Sequence, residues 1–404
     1  MWRKTLLPFL FPTKKPDTTL EQMLDWAVEH VPYYKQFRGY KKITDFPLLT
    51  KSIIRREGKN LFSDDIDTRK WYYNTSGGST GEPVRFVQDE EYSLRARWAV
   101  WETKKWAGYE PPQKLIKLWG SSSENQGYKS LKNKIALWLL NQIFLDTFSL
   151  NSELMEEYIN IINQKKPKLV VGYASSLQQI SQYAIENNIE IKNVGAIVSS
   201  AGTLYPKMRN IIEKAFQCKV YNRYGSREVH IIAAEDSSGQ GLRITPMTHV
   251  EVLDADLSPC KTGQVGEIVV TSLANFAMPL IRYRIGDMGI LKSCQETNYF
   301  RKVVGRTVEM FKTAEGEIID GEYFTHLMYF RDWVRTFRFT QTDYKNIIID
   351  VVLSADKPSK KELSLVEEGI MKKMGSDVTV EWRFIDDIPP LPSGKYIYTH
   401  TEIE

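Results

Sequence analysis

The chain has few cysteines, little net charge and no long apolar run. Its three cysteines, Cys218, Cys260 and Cys294, are scattered over 404 residues. Their spacing gives neither a disulfide framework nor a zinc site, which excludes a small stapled scaffold and fits a reducing cytosol. Lys and Arg number 54 against 50 Asp and Glu, a formal net charge of +4. The two signs are interleaved, so the basic field that nucleic acid requires is absent. No stretch approaches the ~20 apolar residues of a membrane span. The apolar run Leu6 to Phe11 lies between Arg3, Lys4, Lys14 and Lys15, but Pro8 breaks it and no small-residue cleavage site follows. It reads as a strap packed on the domain, with contact to a membrane surface as the other reading. These absences together describe a cytoplasmic protein with no transmembrane segment and no nucleic-acid partner.

A lysine is missing from one further place. The run Thr75-Ser-Gly-Gly-Ser-Thr-Gly-Glu-Pro83 packs glycines and hydroxyls between an aromatic entry, Trp71-Tyr-Tyr73, and the apolar Val84-Arg-Phe-Val87. Glycine lets backbone approach a ligand closely, and successive N–H groups with hydroxyls form an anion cradle. Such a run reads as a loop that wraps polyphosphate; taken alone, a solvated turn explains it equally well. The Walker loop is excluded, because it needs Gly-Lys where this chain has Gly81-Glu82.

The length calls for two or three units. Leu20 to Phe37 reads as a helix, and Asp89 to Lys105 as a second with Trp98 and Trp101 among its apolar positions. Strands then alternate with helices. Strands are expected at Lys114–Trp119, Ile143–Phe148, Lys168–Val171, Ala196–Ser199 and Cys218–Asn222. Helices are expected at Leu131–Leu140, Ser152–Gln164, Ser175–Asn187 and Pro206–Phe216. This alternation implies right-handed crossovers and a mainly parallel sheet, which binds ligands at its carboxyl ends. After about residue 240, His249–Leu253 and Val265–Thr271 read as antiparallel β structure. The last hundred residues form a small α+β unit: helices at Gly321–Phe330 and Lys360–Met374, strands at Val334–Thr340, Asn346–Leu353 and Val378–Phe384. The fold class is α/β: a large N-terminal domain with mainly parallel sheet layers plus an antiparallel β subdomain, followed by a small mobile α+β C-terminal domain. The division is set at 1–304 and 305–404.

Four motifs stand at the ends of these elements. Val198-Ser-Ser-Ala-Gly-Thr203 runs from a strand into a small-residue turn where a flat ligand can lie against backbone. In Tyr221-Asn-Arg-Tyr-Gly-Ser-Arg-Glu228 a glycine turns the chain; Tyr224 suits stacking on a base and Glu228 suits Mg²⁺, unless it caps a helix. In Pro279-Leu-Ile-Arg-Tyr-Arg-Ile-Gly-Asp287, Gly286 turns the chain to present Asp287, a carboxylate able to accept both ribose hydroxyls. Leu391-Pro-Ser-Gly-Lys395 holds one lysine in a loop, where it can meet charge developing at phosphorus. Each alone is an ordinary turn or a solvated side chain.

Their order along the chain resembles the adenylate-forming enzymes, the acyl-CoA synthetase and adenylation superfamily. The Thr-Ser-Gly-Gly-Ser-Thr-Gly, Tyr-Gly-Ser-Arg-Glu and Pro-Leu-Ile-Arg-Tyr-Arg-Ile-Gly-Asp forms are similar to its phenylacetate–CoA ligase-like branch, which includes CapK-type proteins of capsular polysaccharide gene sets. The resemblance spans roughly residues 70 to 397. It implies that Thr75, Ser76, Gly77, Gly78, Ser79, Thr80 and Gly81 wrap the ATP phosphates. It places Ser200, Ala201, Gly202, Asn222, Arg223 and Tyr224, with Gly225 and Ser226, around the nucleotide. Asp287 would take the ribose, Arg306 the nucleotide near the hinge, and Glu228 the Mg²⁺. Lys395 would bridge the acyl carboxylate and the α-phosphate, carried by a C-terminal domain that swings between two half-reactions. Trp119, Tyr173 and His230 are the candidate acyl-pocket residues, with core packing as their alternative; aromatic walls suit an aryl acid.

Three departures accompany this likeness. Glu82 replaces a phosphate-loop charge, the hinge reads Gly305-Arg-Thr-Val-Glu309 with Glu309 in the acid's place, and Asp320-Gly-Glu-Tyr-Phe324 differs from thioester-forming relatives. The resemblance implies an AMP-forming ligase that uses ATP and Mg²⁺ to activate a carboxylic acid, with CoA as acceptor. An amine acceptor in surface polysaccharide or natural-product biosynthesis is the second reading. A catalytically silent nucleotide-binding scaffold is the third. A homodimer is compatible with all of them.

Overall fold

The computed structural model describes residues 13–76, 84–119, 131–147, 150–254, 256–294, 297–306, 310–319, 321–328, 331, 333–354, 357–388 and 397–403. The apolar run Leu6 to Phe11 lies outside them. The chain divides into two compact units: Met1–Ile285 with Gly289–Val303, and Gly286–Met288 with Val304–Glu404.

In the first unit, helix α1 (Leu20–His30) starts at Thr19, whose hydroxyl accepts from Gln22 N while the Gln22 side chain accepts from Thr19 N. The helix expected to run to Phe37 ends sooner. Pro32 has no N–H and drives Val31 into extended backbone, so Pro32–Phe37 forms a 3-10 turn instead. A short helix α2 (Lys51–Glu57) follows. Strands β1 (Trp71–Thr75) and β2 (Arg85–Asp89) form an antiparallel ribbon that leads into α3 (Glu90–Trp106), capped by the Asp89 carboxylate on Tyr92 N.

The alternating region folds as β3 (Leu115–Trp119), α4 (Leu131–Leu139), β4 (Gln142–Asp146), α5 (Ser152–Lys165), β5 (Leu169–Tyr173), α6 (Ala174–Glu186), β6 (Ile197–Ser200), α7 (Pro206–Phe216) and β7 (Val220–Ser226). Strands β8 (His230–Glu235), β9 (Leu242–Ile244), β10 (Thr248–Leu253), β11 (Gly266–Ser272), β12 (Tyr283–Cys294) and β13 (Thr297–Arg306) continue it. All eleven, β3 to β13, join one sheet in the order β10-β11-β12-β13-β9-β8-β7-β6-β5-β3-β4. Neighbours from β7 to β4 are parallel, while β7–β8, β8–β9, β9–β13 and β10–β11 are antiparallel. The parallel and antiparallel parts are thus one surface, joined at β7.

Fully buried Ile116, Ile162, Leu177, Ile197 and Ile212 pack helices α5–α7 on one face of the parallel part. Each such side chain is worth about 2 kcal/mol relative to exposure. A smaller cluster on Leu115, Leu169, Val171 and Val198, with Trp119 and Tyr221 packed against it, lies on the other face. Strand pleat assigns these positions: residues two apart share a face.

The second unit holds β14 (Phe311–Lys312), β15 (Ile318–Ile319), α8 (Gly321–Met328), β16 (Val334–Gln341), β17 (Asn346–Leu353), α9 (Lys360–Met374), β18 (Thr379–Phe384) and β19 (Thr399–Thr401). Its four-stranded sheet runs β18-β17-β16-β19 over a core of Phe324, Phe339, Ile349, Val351 and Ile370. Among the described residues, no helix is long and apolar enough to cross a membrane.

Candidate active site

The carboxyl edge of the parallel strands carries most of the described candidates. Register pairs Tyr173 with Ser200 and Ser199 with Asn222, which sets Arg223 beside Ser200. The Arg223 Nε donates to Ser200 Oγ at 3.3 Å. Trp119 ends β3, and its ring centroid lies 4.2 Å from that of Tyr173 at the end of β5. Ala201 has φ +62°, so the small-residue run does turn sharply after the strand.

Two glycines expected in turns lie within strands. Gly225 belongs to β7, opposite Ile231 of β8, with a register shift beside it. A Cβ there would meet the His230 carbonyl oxygen at 2.2 Å, so the residue is needed for close strand approach. Gly286 lies within β12 at φ +83°, one residue before the buried Asp287. Glu228 caps no helix: it sits between β7 and β8. Its carboxylate Oε1 accepts from the Tyr283 hydroxyl at 3.1 Å, and the residue is 7% exposed.

The neck of the glycine run is closed. Ser76 N donates to Val84 O, and Val84 N donates to Ser76 Oγ, both at 2.9 Å. Thr75 pairs with Arg85 just below. Gly77, Gly78, Ser79, Thr80 and Gly81 lie outside the described residues, as do Glu309 and Lys395, and Arg306 ends β13. Gln88 ties this neck to the Tyr-Gly-Ser-Arg-Glu segment: its Nε2 donates to Arg227 O at 2.9 Å, while its Oε1 accepts from Asn74 Nδ2 at 3.0 Å. Two motifs far apart in sequence therefore share one buried amide. Sequence reading passed over Gln88; its only signal was a polar residue among the apolar positions of a strand.

Tyr224 meets Phe300 edge to face at 5.8 Å, and Asn222 N donates to the Glu235 carboxylate at 2.8 Å. Arg223 is half-buried, and burial holds its guanidinium down at about 10. His230 is pushed down to about 4, by burial first and by the Arg223 charge second. Lys104, near the end of α3, is only 9% exposed and is pushed down to about 7 by burial, then by the charges of Arg223 and Lys117. A separate cleft of about 740 Å³ lies off this edge, lined by residues including Arg209, Lys219, Glu235, Lys292 and Arg301. There Arg209 is held by both Glu235 oxygens at 2.8 and 2.9 Å.

Residues 311–402 match the CapK C-terminal domain family. Protein CapK of Staphylococcus aureus is 28% identical over 371 residues, 87% of this chain and 79% of the relative. The chain is thus similar to CapK-type proteins, and its last quarter carries the match to their C-terminal domain. A phenylacetate-coenzyme A ligase of Thermus thermophilus is 22% identical over 318 residues, 72% of this chain and 69% of the relative. The fold is that of 2-hydroxyisobutyryl-CoA ligase crystallised in its postadenylation state with R3-HIB-AMP. The two superpose with TM-score 0.71 at 17% identity, over 96% of this chain and 91% of that one.

Proposed function

We propose that this chain is an ATP-dependent, AMP-forming ligase that activates a carboxylic acid as an acyl adenylate and passes the acyl group to CoA. The observation that carries this reading is the Gln88 link, which joins the neck of the glycine run to the segment ending in Glu228. It supports a phosphate grip and a metal-binding carboxylate acting on one triphosphate.

In the first step the acid's carboxylate attacks the α-phosphorus of ATP, and pyrophosphate leaves. Both reactants are anions, so the site must offset their repulsion and hold them in line. The glycine-run N–H groups take the leaving phosphates and Asp287 takes the ribose hydroxyls. Ser200–Gly202, Asn222 and Tyr224 flank the base, Arg306 contacts the nucleotide, and Lys395 meets the reacting carboxylate and α-phosphate. The fit of Glu228 to Mg²⁺ is supported by its buried carboxylate, which pairs with no Lys or Arg among the described residues and accepts one hydroxyl. Mg²⁺ commonly takes one or two carboxylates plus substrate phosphate, so a three-ligand protein cage is unnecessary. Bound there, the ion would withdraw charge from the phosphate oxygens.

ATP–pyrophosphate exchange across a panel of acids tests the first step. Acid-dependent exchange that Lys395→Ala reduces by at least about 100-fold is the expected result. ATP binding without exchange for any acid would point instead to a nucleotide-binding scaffold. Mass analysis of products with CoA against simple amines decides the acceptor.

A further inference from the structure

We propose that the acid activated by this enzyme carries a second anionic group, and that Lys104 and Arg223 bind that group beside Trp119 and Tyr173. The inference rests on the adenylation reading for the identity of the ligand, and on the following geometry for its charge.

Lys104 and Arg223 approach one sheet face from two elements, the end of α3 and strand β7. Arg223 shares that face with Ser200, to which it donates. Lys117, two residues before Trp119 on β3, holds its ammonium 4.5 Å from the Trp119 ring centroid. The Lys104 ammonium lies 6.0 Å from the Tyr109 ring centroid. Among the described residues, neither Lys104 nor Arg223 forms an ion pair with a carboxylate. Burying charge without a partner is costly, and like charges beside it add to that cost. Burial pushes the titrations of Lys104, Arg223 and His230 down, and the Arg223 charge adds to the shift of Lys104 and His230.

Two uncharged polar atoms add a second observation. Trp119 Nε1 and His230 Nδ1 are buried and have no partner among the described residues. Buried donors are nearly always satisfied, so such orphans mark a place completed by something else. Arg223, Trp119 and His230 all keep part of their surface accessible.

The neighbouring lysine on α3 shows what ordinary helix chemistry needs. Lys105 lies in the same last turn, is exposed, and pairs with Glu102 at 3.5 Å. A cation there already complements the helix dipole. Lys104 is not required for that purpose and is buried at a cost.

The activated carboxylate cannot be the standing counter-ion. On adenylation it forms a mixed anhydride with the α-phosphate, pyrophosphate leaves, and the carboxylate loses its charge. A second carboxylate, phosphate or sulfonate on the acyl chain keeps its charge through both steps. The proposal also moves Arg223 from the nucleotide, where the family resemblance put it, to the acid.

The experiment compares succinate, glutarate and terephthalate with butyrate, valerate and benzoate, in ATP–pyrophosphate exchange and in calorimetry without ATP. The expected result is a kcat/KM for one diacid about 30-fold or more above its monoacid. That ratio should fall by about 30-fold in Arg223→Gln and in Lys104→Met, with the KM for ATP unchanged, since removing one partner of a desolvated charge pair has effects of this size. Ligand-free Lys104→Met should melt no lower than the parent, because it removes an unmatched charge. Equal or better use of monoacids overturns the proposal while leaving the ligase reading intact. Loss of ATP affinity in both variants with an unchanged acid preference also overturns it, assigning the cations to the nucleotide. Diacid binding that depends on Arg223 but gives no exchange with any acid defeats the ligase reading and, with it, the proposal that the activated acid is dianionic. Absence of diacid binding overturns it.

Discussion

Arg282 and Arg223 show two ways of placing an arginine in the same unit. Arg282 is 5% exposed, and every part of its fork is occupied. Its Nε and Nη2 reach both Glu251 oxygens at 3.1 Å, and its Nη1 reaches Phe46 O at 3.0 Å. Arg223 has one hydroxyl, from Ser200. The first arrangement is complete without a ligand and ties β12 to distant backbone. The second is incomplete, as is that of the buried Lys104 nearby. A matched buried charge indicates architecture, and an unmatched one at a strand edge indicates a ligand.

The contrast predicts opposite stability effects. Arg282→Ala should lower unfolding stability by about 3 kcal/mol or more in urea titration, because it strands Glu251 and a buried carbonyl. Arg223→Gln should change stability by less than about 1 kcal/mol; a loss as large as that of Arg282→Ala would erase the distinction.

Between these extremes lie the residues that shape the edge. Asp287→Ala should weaken ATP binding by about tenfold or more in calorimetry, the size of a lost charged hydrogen bond. Unchanged nucleotide affinity would remove Asp287 from the ribose. Gly225→Ala should cost about 1–3 kcal/mol, since its Cβ would press on the His230 carbonyl. Thermal melts indistinguishable from the parent would show that β7 and β8 can separate there freely.

The last effect is a pH dependence. The folded protein holds His230 neutral down to about 4, while the unfolded chain protonates it near 6.5. The unfolded state therefore binds more protons in that window, and this contribution to stability is lost as pH falls from about 6.5 to about 4. His230→Asn should flatten the stability profile there. A profile with the same slope in both proteins would place the titration elsewhere.

Much of the parallel sheet was legible because alternating strands and helices leave an apolar signature over many residues. Glycine misled, since Gly225 and Gly286 look like turn residues and act inside strands. A glycine demanded by close strand approach or by positive φ carries no local mark to separate it from a turn. Pro32 was visible, but the strength of the surrounding apolar pattern hid the break it makes. The motif residues were legible by order, whereas their connections were not. Gln88 looked like an ordinary strand polar residue, and Lys104 like a helix-end lysine. Burial and the absence of a partner depend on residues brought together from far along the chain.

The central claim is that a carboxylate oxygen of the acid attacks the α-phosphorus of ATP. Its most direct test uses the acid that gives fastest exchange, labelled with oxygen-18 in its carboxyl groups, through a full turnover with the acceptor. The account predicts one labelled oxygen in the released AMP, since the bond formed to phosphorus is kept when the acyl carbon is attacked. Unlabelled AMP, with the label in inorganic phosphate or retained entirely in the acyl product, would contradict it.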